Sequence, residues 1–509
     1  MAKKLKLKLK ASNEVHAPPL PINLSPLPTE VLAYIFQLVL LPRSQPCFSD
    51  NYSETLNYPE VLLWVCSRWR HVALTSPNLW SHIDIVLSSS ASQRASKRAE
   101  AFLERAGRCP LDIYIFEKPR RSRWPLFDRS DDELSEQQSE PDDSDCSKDS
   151  NEYGSDLLTD GSHGSDDAHG SDDSSELDVF DFLPQLPGHA LVKSIQFVTS
   201  TCDFIYGSRY LPVLKYYLAN CSPGTLTKLV LQGNADDGVN FIIRASEQSE
   251  ALWLPITTLH VSGGICPSYE GAAFRGLTDL RLSGRDYIHE SQFVNILRWS
   301  PKLRIFQFYL KMTAASIVIT PVEPIHLNDL EVLDLIENRL KGAEFEMLTR
   351  WIAVGQTPLR LFLWCPLDSK PVKKFFRRAN VVELHVRLHG TSVDSLEKLL
   401  NRSSKLRMLA VDGYGGQFEP KSETSSDDST RSFTPIDTLH LRFCDIQFDS
   451  LQRMIQARSI HTLTMWSCSV IKEKYGDTSR EEILGLCSNT KVLTRKEFTE
   501  MENWIKCIT

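Results

Sequence analysis

Metal or nucleophilic chemistry in this 509-residue chain would have to be built from its 13 histidines and 12 cysteines. His385 and His389 lie four apart, the spacing of a helical metal pair, but the surrounding VVELHVRLHG alternates as a strand does and would not put both on one helical face. The cysteines are scattered without a C-x-x-C pair, which fits reduced packing thiols rather than a zinc site or a disulfide framework. H-E-x-x-H, a nucleophile elbow, a phosphate loop and a dinucleotide fingerprint are all missing from the sequence. The expectation is a protein that is not an enzyme and carries no cofactor and no metal. The remaining reactive groups are serines beside acidic residues, such as Ser165, Ser171 and Ser174, which suit an acid-directed kinase.

The elements that would position other functional side chains emerge from a recurring string. Leu226-Thr-Lys-Leu-Val-Leu returns as Ile256-Thr-Thr-Leu-His-Val, Leu277-Thr-Asp-Leu-Arg-Leu, Leu330-Glu-Val-Leu-Asp-Leu, Leu406-Arg-Met-Leu-Ala-Val and Ile436-Asp-Thr-Leu-His-Leu. Weaker copies begin at Val192, Leu303, Leu359, Val381 and Ile460. A string L-x-x-L-x-L spaced by roughly 20 to 35 residues is the pattern of leucine-rich repeats, in which a strand is followed by a helix. Helical stretches lie between the strings: SQFVNILRWSPKL, FEMLTRWIAVGQTPL, SVDSLEKLLNRSSKL and FDSLQRMIQARSI, the last with Asp449 and Gln452 spaced as a capping box. The predicted architecture is therefore α/β, a leucine-rich-repeat solenoid over 182–493 with parallel strands on a concave face and helices on a convex face. Its outward row, one residue per string, would be Gln196, Val230, His260, Arg281, Gln307, Asp334, Leu363, His385, Ala410, His440 and Thr464. Of these, His260, Arg281, Gln307, Asp334, His385 and His440 are the candidate target-binding residues. Solvated imidazoles at His260, His385 and His440 would make recognition sensitive to pH between about 5 and 8. The segment 494–509, with Phe498, Met501, Trp504, Ile505 and Ile508, reads as a helix capping the array.

Composition separates the chain into unlike parts. Hydrophobic residues make up 41% and charged residues 24%, with a formal net charge of -8. Between Asp128 and Asp181 stand 20 acidic and 2 basic residues, so the rest of the chain holds 55 basic against 45 acidic and is net positive. That acidic stretch lacks the aliphatic residues to offset its ordering entropy and is expected to be a disordered insert over 128–181. A smaller segment of the same kind, 417–432, is expected as a loop inside the repeats, and residues 1–20 as a basic tail. No apolar run approaches the about 18 residues of a membrane span, and no secretory signal is expected, so the protein is placed in the cytoplasm and/or the nucleus. Lys118-Pro-Arg-Arg-Ser-Arg123 and the N-terminal lysines resemble import signals. Lacking interleaved aromatics, they do not suggest nucleic-acid binding.

The segment from Leu24 to Ile85 is the densest in large apolar side chains. Pro26 and Pro28 precede a helical pattern of Val31, Leu32, Ile35, Phe36 and Val39, and a second amphipathic stretch carries Leu62, Val65, Cys66, Trp69 and Ala73. Two or three short helices cannot bury that much apolar surface among themselves, which implies a partner. The strings L-P-x-E-V-L-x-x-I-F and V-C-x-R-W-R-x-x-A-x-x-x-P-x-L-W, over residues 21–90, resemble the F-box-like module of fungal proteins, and AFLERAGRCPLDIYI, within 91–127, resembles the helix and first strand that follow it. The resemblance implies docking on the Skp-type adaptor of a cullin-RING ubiquitin ligase through Leu27, Pro28, Val31, Leu32, Ile35, Val65, Trp69 and Trp80, as anchors or their support. Adaptor, cullin and an unidentified target protein are the partners it implies, with the repeats as the substrate-recognition part. The alternative is a repeat scaffold whose N-terminal hairpin is only a cap.

Overall fold

The computed structural model describes residues 27–40, 59–87 and 92–117, and those from 183 to 493 except 189, 200–203, 234–240, 244–246, 285–286, 314–322, 336–340, 389–392, 402, 404, 414–416, 419–433, 473–475 and 478. The basic tail, the acidic insert, the C-terminal capping helix, the basic runs, Ser165, Ser171, Ser174 and His389 lie outside the described residues, as does most of the expected loop at 417–432.

Fourteen strands form one sheet, and their order across the sheet is their order along the chain. They are β1 His82–Leu87, β2 Leu111–Glu117, β3 Val192–Val198, β4 Lys228–Gln232, β5 Thr258–Ser262, β6 Asp279–Ser283, β7 Ile305–Phe308, β8 Val332–Leu335, β9 Leu359–Leu363, β10 Val381–Leu388, β11 Met408–Gly413, β12 Thr438–Arg442, β13 Thr462–Trp466 and β14 Asn489–Leu493. Every neighbouring pair is parallel, for example β5 with β6 and β12 with β13. Parallel neighbours need a crossover, and helices lie in it between most pairs, though none is described between β2 and β3, β7 and β8 or β11 and β12. The eleven strings correspond to β3 through β13; β1, β2 and β14 extend the same sheet at its two ends.

In β6 the reason for the strand is visible residue by residue. Leu280 and Leu282 are buried while Asp279, Arg281 and Ser283 are partly exposed, the period-two pattern of a sheet with one packed face. Leu277, three before Leu280, is fully buried and anchors the entry to the strand. Ser300, also fully buried, accepts from the Leu277 amide through Oγ (3.0 Å) and donates to the Phe274 carbonyl (2.8 Å), closing the turn beneath the strand. The helices contribute Phe293, Ile296 and Leu297, or Phe345 and Leu348, to the same continuous core as the strand leucines.

Helices follow the expected stretches with local differences. SQFVNILRWSPKL is helical over Glu290–Trp299, SVDSLEKLLNRSSKL over Val393–Leu400 and FDSLQRMIQARSI over Phe448–Ala457. FEMLTRWIAVGQTPL is not one helix: it ends at Thr349, and Ile352–Val354 is a strand paired with Ile325–Leu327. Its β-branched residues favour that outcome. The Asp449 capping box does not form, because the N-cap is Gln447, two residues earlier, leaving Asp449 inside the first turn. A box does form at Ser479 and Glu482, whose Ser479 Oγ accepts the Glu482 amide at 3.3 Å while the carboxylate accepts the Ser479 amide at 3.2 Å. Gln417–Phe418, within the expected loop, pairs as a short strand with Asp445–Gln447.

Successive rungs come close together just after β5. Gly263 has φ +90°, and a Cβ there would lie 2.1 Å from the Gly233 carbonyl oxygen of the preceding rung. Gly276 shares a positive φ, +72°, but faces open space. Gly263→Ala should therefore cost well over the about 1 kcal/mol that backbone conformation alone costs in Gly276→Ala; urea unfolding of the two variants checks this, and equal losses would mean that the rungs are not in close contact.

Candidate interaction surfaces

Two regions collect the residues singled out by sequence. The first begins with α1 (Thr29–Leu40), α2 (Leu62–Val65) and α3 (Ser67–Leu74), followed by a single 3-10 turn at Pro77–Trp80 that leads into β1. On α1, Leu32 and Phe36 point inward and are about fully buried, with the Phe36 and Trp69 rings 4.8 Å apart. The opposite stripe, Val31, Tyr34, Ile35 and Leu38, recurs at helical spacing and is exposed. On α2, Trp64, 73% exposed, and Val65, 57% exposed, are also left in water. Pro28 is exposed and Leu27 half-buried, its carbonyl accepting from the Arg68 guanidinium.

The eight expected adaptor residues thus divide. Pro28, Val31, Ile35 and Val65 are on the surface, whereas Leu32 and Trp80 are core, with Leu27 and Trp69 between. Trp80 is completely buried: its Nε1 donates to the Ala73 carbonyl at 2.7 Å, the Phe102 ring meets it edge-on at 5.0 Å, and the Arg105 guanidinium lies 4.3 Å from its ring. Phe102 and Arg105 belong to α4 (Ser92–Ala106), so Trp80 fastens the helices to the start of the sheet. Tyr34, Leu38 and Trp64 were missed in the sequence; a helical wheel through Val31 and Ile35 would have found the first two.

The second region is the sheet face opposite the core. Strand registers place one row across it: Asp84, Tyr114, Gln196, Val230, His260, Arg281, Gln307, Asp334, Phe362, His385, Ala410, His440, Thr464 and Lys491. The string in β9 is one residue shorter than the others, Leu359-x-Leu361-x-Leu363, so counting four positions from its first leucine lands on the wrong face. Leu363 is fully buried and Phe362 occupies the row. A one-residue change always exchanges the faces of a strand.

The row is less open than its sequence suggests. Asp334, 2% exposed, accepts a 2.7 Å hydrogen bond from Tyr309 Oη, and His385 is stacked on Phe362 with ring centroids 4.2 Å apart. These two expected target-binding residues are enclosed by neighbours only a strand spacing away. His260, Arg281, Gln307 and His440 keep partial exposure. Asp279 holds two of the four: its carboxylate lies 3.1 Å from His260 Nε2 and 3.0 Å from Arg281 Nε. Two residues farther along the strands runs a parallel ladder that the string count overlooked. In it Arg387 lies 4.9 Å over the Trp364 ring and 3.3 Å from Asp412, which faces Arg442, whose guanidinium is 4.5 Å from the Trp466 ring. A guanidinium held over an indole ring in this way gains cation–π attraction. The position just after the third apolar residue of each string was the available signal.

Burial also overturns the expected pH response. It pushes His385 down to about 3 and His440 to about 4, and lowers His260 despite the opposing pull of Asp279. The first two are therefore neutral throughout pH 5 to 8. A native pKa below the unfolded value near 6.5 means that the unfolded chain takes up protons first, so stability is full above about pH 6.5 and is lost as pH falls toward 4. Thermal unfolding between pH 7 and 4 should show this decline, at up to about 1.4 kcal/mol per pH unit for each histidine. His385→Phe with His440→Gln should flatten it, and an unchanged slope would show that these histidines are already protonated in the fold.

Among the described residues no group of three or more His, Cys, Asp or Glu is arranged to hold a metal ion, and no helix is long and apolar enough to cross a membrane. No family model matches the chain, and no curated protein matches it.

Proposed function

We propose that the protein is a substrate-recognition subunit of a cullin-RING ubiquitin ligase, its N-terminal helices docking a Skp-type adaptor and its sheet face binding the target. The observation that carries this reading is the exposed apolar side chains of α1 and α2, because Val31, Tyr34, Ile35, Leu38, Trp64 and Val65 leave more large side chains in water than a solitary helical cap requires. The L-P-x-E-V-L-x-x-I-F string falls on the same helix. Docking would remove this surface from water at roughly 25 cal/mol per Å². Target contacts fall to the partly exposed part of the row, His260, Arg281, Gln307 and His440, beside the stacked arginines.

One observation favours a second reading. Leu32, Phe36 and Trp80 share one core with β1 and the strands beyond it, as a cap on a repeat scaffold would. The two readings differ in whether the outer stripe is occupied. Ile35→Asp with Val65→Asp should abolish co-purification with a Skp-type adaptor while the melting temperature stays close to that of the parent, since both side chains are exposed. Parent protein that recovers no adaptor would leave the scaffold reading, and a variant that still recovers it would place the docking surface elsewhere. Trp80→Ala also removes binding but by unfolding the module, at a cost of about 3 kcal/mol or more, and circular dichroism tells the two apart.

The target surface has its own test. Arg281→Gln with Gln307→Ala should lower target recovery in a crosslinking pull-down several-fold without affecting adaptor binding, each change costing on the order of 1 kcal/mol or less in stability. Undiminished recovery would place the target elsewhere on the chain.

A further inference from the structure

Cys444 and Cys468 are the residues two beyond Arg442 and Trp466, at matching places in consecutive rungs. The register is fixed on both sides of them: Arg442 faces Trp466 and Asp445 faces Ser469, so Cys444 faces Cys468. Backbone hydrogen bonds clamp the pair, from the Phe443 amide to the Trp466 carbonyl at 3.0 Å and from the Ser469 amide to the Cys444 carbonyl at 2.9 Å. Phe443 and Ser467 both have positive φ, 49° and 47°, so the two chains make the same turn immediately before each cysteine. Parallel neighbours lie about 4.8 Å apart, within the about 4.4 to 6.8 Å between Cα atoms that a disulfide spans. The two thiols are within hydrogen-bonding reach of one another.

Their surroundings differ. Cys444 is fully buried, and a Cβ on Gly413 would lie 3.0 Å from its sulfur, so this thiol is held from the far side as well. Cys468 is partly exposed. The hydrogen bond between the two thiols lowers the Cys468 pKa, while the same contact and burial raise that of Cys444. An accessible thiolate beside an enclosed thiol is the arrangement of an attacking and a resolving cysteine.

We propose that Cys444 and Cys468 form a redox-responsive modification site that closes to a disulfide when the protein meets a hydroperoxide. The Cys468 thiolate attacks the peroxide, forming an S–O bond as the O–O bond breaks, and the departing oxygen takes up a proton and leaves as water from hydrogen peroxide or as an alcohol from an organic hydroperoxide. The Cys444 sulfur then attacks the resulting sulfenic acid, forming the S–S bond as the S–O bond breaks, and its thiol proton leaves with the hydroxide as water. Two thiols are oxidised and one hydroperoxide is reduced. The bridge staples the rungs that carry Arg442 and Trp466, and it is independent of whether the chain serves a ligase.

The full-length protein, treated with hydrogen peroxide, alkylated and digested with trypsin, tests this. Cleavage at arginine and lysine places Cys444 in Phe443–Arg453 and Cys468 in Ser459–Lys472, so a dithiothreitol-reversible link between those two peptides is the expected product. In Cys444→Ser, dimedone should trap a sulfenic acid at Cys468. In untreated protein, Cys468 should react with N-ethylmaleimide roughly tenfold faster than Cys444, as exposure and thiolate character require. Peroxide that leaves both thiols free, or drives Cys468 to the sulfinic acid without the link, overturns the proposal. Mapping the unsubstituted protein decides the matter even where a variant does not fold.

Discussion

Parallel pairing of each strand with the next one in the chain is the constraint on which the rest of the structure depends. A strand in such a sheet cannot satisfy its own amides and carbonyls, so every rung is completed by its neighbour. The connections are repeated just before the strands, where the amides of Thr257, Thr278, Arg304 and Glu331 each donate to the rung behind, to Thr227, Thr257, Thr278 and Arg304, at 2.8 to 2.9 Å. Because side chains alternate with a period of two, one register error would turn a leucine row outward. The strings prevent that with two large apolar residues inside each strand and one at or before its start.

The same constraint determines how the two ends differ. At β1 the sheet continues into helices through Trp80, whose indole bonds α3 and meets Phe102 and Arg105 of α4. Arg98 of α4 adds an ion pair to Glu60 at 3.0 Å. With these inward residues committed to the core, α1 is left with an outer stripe that has nothing of its own chain among the described residues over it. An amphipathic helix needs one apolar face to pack; α1 has two, and the second is the physical basis of the proposed docking.

On the open sheet face, crowding rather than charge decides what each side chain can do. Strands so close together leave little room for water between long side chains, so polar groups there survive by pairing. Asp334 is satisfied by Tyr309, and Asp279 is shared by His260 and Arg281. Glu290 is a comparable case on the helical side, 4% exposed and held by Arg350 at 2.9 Å and by the Trp351 indole. A buried charge without such partners would cost several kcal/mol. An imidazole avoids that cost by remaining neutral, as His385 and His440 do.

The sequence by itself determined where the strands are, since an apolar string at fixed internal spacing can be packed on one face only as a strand. It also determined that helices lie between many of the strands. What it left open depended on neighbours distant in the chain. Leu32 and Ile35 look equivalent on a helical wheel, and only the packing of Trp69 and Trp80 turns one in and the other out. Phe362 rather than Leu363 joins the outer row because pairing with β8 and β10 overrides a count along one string. FEMLTRWIAVGQTPL has helical periodicity throughout, yet Ile352–Val354 finds a strand partner at Ile325–Leu327. The charge state of His385 follows from Phe362 stacked on it, and the meeting of Cys444 with Cys468 follows from a register held by backbone bonds on either side. Spacing along the chain carries local geometry, whereas burial and pairing across rungs are properties of the assembled sheet.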